Sequence, residues 1–216
     1  MIPTLSILFL ATALVHLNAC LREKNKLRVV TKPLLMPLLA AIYFISTNEP
    51  HPIVAIALLF GAVGDVFLLF PNKPSFFMIG GASFGVGHIL YMTAFFRYAG
   101  AMKLPIYGIA LIVAFFMAAA AIGFTRLKPV VPKKLNTSVL FYMLVLCVMS
   151  TVATMSFFVA PSARRVLFPL GAILFLVSDA LLAHLVFVRE NQGNNFSVMA
   201  TYLAAQTMIT AGFILL

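Results

Sequence analysis

Long apolar runs broken by short polar stretches repeat along the whole chain. Eight can be marked off, at about 2–20, 29–47, 52–70, 75–97, 104–124, 135–159, 163–188 and 196–216. Each has roughly the 17–25 residues that a helix needs to cross a hydrocarbon layer. The breaks carry helix-stopping residues: Asn48-Glu49-Pro50, Pro71-Asn72-Lys73-Pro74, Lys128-Pro129 with Pro132, Pro161 and Gly193-Asn194-Asn195. Pro33 and Pro37 interrupt the first turns of the second segment, so its start is the least sharply marked. The pattern predicts an all-α polytopic transmembrane bundle of about eight helices, with residues 1–216 forming a single integral membrane domain. A β-barrel is excluded by segment length, because lipid-spanning strands run only about 9–11 residues.

Composition strengthens this reading. Hydrophobic residues make up 63% and charged residues 9% of the chain, against roughly a quarter charged in soluble domains. The net charge of +10 is not the footprint of a nucleic-acid partner. Its sources are short clusters between apolar runs, at Arg22–Lys32, Arg126–Lys134 and Arg164–Arg165, where membrane insertion and anionic headgroups favour them. Eleven of the fifteen Lys and Arg fall in the odd-numbered connections. The positive-inside rule therefore puts those connections in the cytosol and both termini outside, in the inner membrane for a bacterial source. The first run has basic residues behind it rather than before it, the reverse of a signal peptide, and reads as a retained helix. Cys20 and Cys147 lie within apolar runs without metal-type spacing and read as buried thiols.

Ionisable groups inside spans are expensive and usually functional. Only two of the five acidic residues are embedded, Asp65 and Asp179; Glu23, Glu49 and Glu190 fall in connections. At similar depth lie His88 and Tyr91 in the fourth segment, three apart on one face, and Tyr202 and Gln206 in the eighth, four apart. Lys32 stands just inside the second segment. Each has a plainer reading: hydrogen bonds between helices for the ring residues and the amide, a snorkelling anchor for Lys32. His184 reads as an end-of-helix residue, and His16 and His51 as unremarkable. Glycines 80, 81, 85 and 87 leave room beside His88 for a close helix or a ligand. Gly64-Asp65-Val66-Phe67-Leu68 also echoes Ser178-Asp179-Ala180-Leu181-Leu182, each Asp lying 23 residues before a polar ring residue, His88 or Tyr202. Chance among apolar helices accounts for this echo equally well.

Thr31-Lys32-Pro33-Leu34, Gly64-Asp65, the Gly80–Tyr91 stretch with Phe84, Gly87 and His88, Gly171-Ala172 with Phe175, Ser178-Asp179, and Tyr202 with Gln206 occur in that order. In this the chain resembles the lysoplasmalogenase family of multi-span membrane hydrolases, which includes the bacterial YhhN-type proteins. The resemblance covers nearly the whole chain. It implies hydrolysis of the vinyl ether bond of lysoplasmalogens, in the bilayer and without a cofactor, to a fatty aldehyde and glycerophosphoethanolamine or glycerophosphocholine. Asp65 and Asp179 would then carry the chemistry, and His88, Tyr91, Ser178, Tyr202 and Gln206 would orient substrate or water. Lys32 would meet the phosphate.

The residue types suit that reaction. Vinyl ether cleavage needs a proton on the β-carbon and leaves an oxocarbenium-like cation to which water adds. A neutral carboxylic acid can deliver the proton, and an ionised carboxylate can stabilise the cation or activate water. Two other classes fit the same side chains. Paired carboxylates and a histidine also describe a proton-coupled transporter of a lipid or small solute. His88, His184 and the two aspartates could instead surround zinc in a metal-dependent intramembrane hydrolase, though no compact spacing marks such a site.

Overall fold

The computed structural model describes residues 1–70, 73–99, 104–188 and 195–216, with the side chains of residues 74, 98 and 99 outside the description. The expected breaks at Pro71-Asn72 and Gly193-Asn194 lie outside the described residues. Among the described residues there are eight α-helices and no strand: α1 (Ile2–Leu21), α2 (Asn25–Ser46), α3 (Pro52–Phe67), α4 (Pro74–Ala99), α5 (Ile106–Leu127), α6 (Asn136–Val159), α7 (Leu167–Ala183) and α8 (Phe196–Ile214). A short 3-10 turn, Lys133–Leu135, leads into α6, and α7 runs on into a π-helical turn, His184–Val188. Among the described residues, seven helices are long and apolar enough to cross a membrane. The chain is a multi-pass membrane protein.

Two elements depart from the sequence pattern. α2 starts at Asn25 and runs through Pro33 and Pro37 without a break. Each proline removes one backbone hydrogen bond, but neighbouring helices let membrane helices keep such residues. α3 has only 16 residues, or about 24 Å of rise, less than the roughly 30 Å hydrocarbon thickness. It ends at Phe67 rather than near residue 70, so Asp65 stands two residues from the helix terminus. The start of α3 is fixed by Pro52 in its first turn and by His51, whose ring accepts from the Ile53 amide.

The core lies among α2, α3, α4, α6, α7 and α8, with α1 along one side. One end is aromatic, with Phe95 packed edge-on to Phe168 at 4.9 Å and Tyr91 stacked on Phe213 at 6.4 Å between ring centroids. α5 is peripheral. It packs on α6 and buries only Phe116 and Ala120. α4 also packs on α6, yet α4 and α5 scarcely meet each other. This leaves a seam along the bundle, with α6 as its floor.

Candidate functional site

Three helices converge on Asp65. Lys32 of α2 brings Nζ to 3.3 Å from Oδ1, and Tyr202 of α8 donates its hydroxyl to Oδ2 at 2.9 Å. Both carboxylate oxygens are therefore engaged, one by a cation and one by a phenol, the charge-assisted kind of hydrogen bonding that is strongest in an apolar surround. Gly61 and Gly64, one turn apart on α3, make room for Tyr202 and for the Phe84 ring. A Cβ on Gly61 would stand 3.3 Å from the Tyr202 hydroxyl, and one on Gly64 would stand 2.6 Å from the Phe84 ring. Beside this group, Tyr91 donates to Gln206 Oε1 at 2.7 Å, tying α4 to α8.

A second, partly buried group forms around Asp179. Tyr142 of α6 donates to Asp179 Oδ2, and its oxygen lies 3.2 Å from His88 Nε2. A phenol has one proton, which points at Asp179 Oδ2, so His88 must donate through Nε2–H. That tautomer leaves Nδ1 as a bare acceptor, and Nδ1 has no hydrogen-bond partner among the described residues. Phe175 packs edge-on to the His88 ring at 4.6 Å between centroids and fixes its plane.

The two groups are divided by Phe84 and Phe175, whose rings stand edge-on to Tyr202 at 5.8 Å and 5.5 Å. On the Asp179 side lies a cavity of about 830 Å³, inside the range of small-molecule sites. Its wall includes Phe84, Gly85, Tyr142 and Asp179 and is otherwise almost wholly apolar. Asp65, Lys32, His88 and Tyr202 do not line it.

The sequence sets these polar residues at similar depth, where most of them could meet. Among the described residues they instead form two groups: Lys32, Asp65 and Tyr202 with Tyr91 and Gln206 beside them, and His88 with Asp179. Ser178 joins neither, because its hydroxyl donates to the Val198 carbonyl at 3.0 Å and staples α7 to α8. Tyr142, which links His88 to Asp179, escapes sequence reasoning, since its neighbours from Val139 to Met149 are apolar. The only available signal was a phenol in a span whose other rings are phenylalanine. The internal echo acquires a geometric counterpart: each aspartate reaches the ring residue of the other half, Asp65 directly and Asp179 through Tyr142.

His16 proves fully buried rather than unremarkable, with Nδ1 2.7 Å from Thr31 Oγ1 and Nε2 3.4 Å from Cys20 Sγ. His184 is exposed at the start of the π turn. No three His, Cys, Asp or Glu side chains among the described residues come together as metal ligands, so the four-residue zinc grouping is not assembled.

No curated protein and no solved structure matches the chain. The YhhN family model matches residues 27–213, a stretch that begins just before Lys32 and takes in both hydrogen-bonded groups and the cavity lined by α4, α5, α6 and α7. The chain therefore belongs to the YhhN family, the family that includes lysoplasmalogenases.

Proposed function

We propose that this protein is an intramembrane hydrolase that cleaves the vinyl ether bond of lysoplasmalogens. One observation carries the reading: an apolar cavity of about 830 Å³ has a carboxyl group, Asp179, and a phenol, Tyr142, in its wall. A single hydrocarbon chain suits such walls, and a vinyl ether needs little beyond a positioned acid. Asp179 gives its proton to the β-carbon, and the π electrons of the double bond form the new C–H bond. Positive charge develops at the α-carbon and its ether oxygen, next to the carboxylate that remains. Water then adds to the α-carbon and returns a proton to Asp179. The resulting hemiacetal collapses to the aldehyde as its hydroxyl proton passes to the departing glycerol oxygen. Tyr142, held by His88, orients the Asp179 carboxyl.

Asp65 takes a different part in this proposal. It lies behind Phe84 with Lys32 and Tyr202 and acts as a positioning group that fixes α2, α3 and α8 around the chamber. The connections between α1 and α2, α3 and α4, α5 and α6, and α7 and α8 face the cytosol, as their excess of Lys and Arg implies.

The test is incubation of purified protein with a lysoplasmalogen and with its saturated ether analogue. Aldehyde should come from the first alone, and Asp179→Asn should abolish it in a protein that still folds. No aldehyde from the wild type, or near-normal release by Asp179→Asn, would overturn the reading.

A further inference from the structure

A lysophospholipid carries its phosphate only three glycerol carbons from the sn-1 oxygen. A chamber that takes the chain therefore needs a cation near its mouth. Lys32 is engaged within the protein by Asp65 and does not line the cavity.

The cavity runs along the seam between α4 and α5. Its lining residues Met78 and Ile89 on α4 and Phe141 on α6 are exposed on the lipid-facing surface. At one end it reaches Leu127, Thr137 and Ser138, where α5 turns into α6. That turn carries Arg126, Lys128, Lys133 and Lys134, all exposed and none in an ion pair with a described carboxylate. The turn is not slack. Val131, Leu135 and Val139 pack together as a small buried cluster, and the Leu135 amide donates to the Pro132 carbonyl at 2.8 Å. Lys133 and Lys134 are thus held one helical turn before Thr137 and Ser138. From Thr137 to Tyr142 is five residues of helix, or about 7.5 Å.

We propose that the α5–α6 turn is the phosphate-binding end of a lysophospholipid site, with the phosphodiester held by Lys133 and Lys134. The glycerol then passes Thr137 and Ser138, the vinyl ether comes up to Asp179, and the chain continues in the apolar seam. This rests on the hydrolase reading for its choice of lipid. The occupant is chosen by charge and shape together, with cations at one end of a groove whose remaining wall is hydrocarbon. Lys128 and Arg126 stand further back and add to the field at the mouth.

The test is direct binding in nanodiscs of zwitterionic lipid. The probes are a non-hydrolysable 1-O-alkyl lysophospholipid, the matching 1-O-alkylglycerol without phosphate, and inorganic phosphate. Wild type should prefer the phospholipid to the alkylglycerol by about tenfold or more, the scale of a charge-assisted contact. The variant K133Q/K134Q should lose that preference and keep its affinity for the alkylglycerol, with an unchanged melting temperature because both side chains are exposed. The control R22Q/K24Q removes two exposed charges from the same end of the bundle, away from the cavity, and should keep the preference. Equal loss in both variants would make the lysines a general membrane flank and overturn the site. So would an unchanged preference in K133Q/K134Q, or inorganic phosphate bound as tightly as the lipid. Binding needs no turnover. A wild type that binds through these lysines but releases no aldehyde from a lysoplasmalogen would sink the hydrolase reading and leave the phosphate site standing.

Discussion

Lys32 Nζ lies 3.3 Å from Asp65 Oδ1, with the lysine side chain 11% and the aspartate 2% exposed, so α2 and α3 are joined by an ion pair inside an apolar bundle. Removing one member of such a pair strands a buried charge and costs about 3–5 kcal/mol, whereas replacing both by apolar groups is often neutral. Lys32→Met and Asp65→Leu should each lower the melting temperature sharply, and the double variant should recover most of the loss. Additive destabilisation in that cycle would mean that the two side chains contribute separately.

Tyr142→Phe keeps the ring and deletes the hydroxyl that joins His88 to Asp179. The buried His88 and the half-buried Asp179 then lose a partner, at a cost of about 1–3 kcal/mol for the histidine. In the proposed reaction the acid also loses its orientation, so aldehyde release should fall on the order of 10²-fold, mostly in kcat. A change confined to KM would show that Tyr142 contacts substrate rather than positioning the acid.

Two glycines separate chamber from core. A Cβ on Gly81 meets nothing within 4 Å, and that residue lines the cavity. Gly81→Leu should leave stability almost unchanged and exclude long alkenyl chains before short ones, read as a shift in the chain-length profile of KM. A Cβ on Gly64 would stand 2.6 Å from the Phe84 ring. Gly64→Ala should destabilise by about 1–3 kcal/mol through overpacking, whichever lipid is present.

Thr31 Oγ1 donates to the Leu27 carbonyl, so it must accept from His16 Nδ1–H, and His16 Nε2 is left to accept from the Cys20 thiol. Thr31→Val keeps the shape and strands the ring N–H, at a cost of about 1–3 kcal/mol. Thermal unfolding should show that loss. Nitrogen NMR of the wild type should report the Nδ1–H tautomer at His16 and the Nε2–H tautomer at His88.

The helices were legible because lipid enforces long apolar segments, and polar punctuation marks where each one stops. The start of α2 was not, because Pro33 and Pro37 carry a breaking signal that tertiary packing overrides. The shortness of α3 was hidden by the apolar residues Leu68, Leu69 and Phe70, which follow it without being helical. Asp65, Asp179, His88, Tyr91, Tyr202 and Gln206 stood out because polar groups in spans are rare. Their division into two groups is set by helix rotation and by which face of α4 carries Phe84, and neither leaves a mark on spacing. Tyr142 matters only because α4, α6 and α7 meet at its hydroxyl. Ser178 shares its motif with Asp179 but faces the α8 backbone.

The open seam between α4 and α5 means that part of the chamber's boundary is not protein. Whatever amphiphile surrounds the bundle completes the wall beside Gly81 and Ile89, and so acts as both solvent and competitor for the same groove. A single-chain detergent has the shape of a lysolipid and would compete for the groove in which the lysolipid is proposed to sit. Acyl-chain order and the detergent chosen for purification are therefore variables of the binding site itself, alongside the residues that line it.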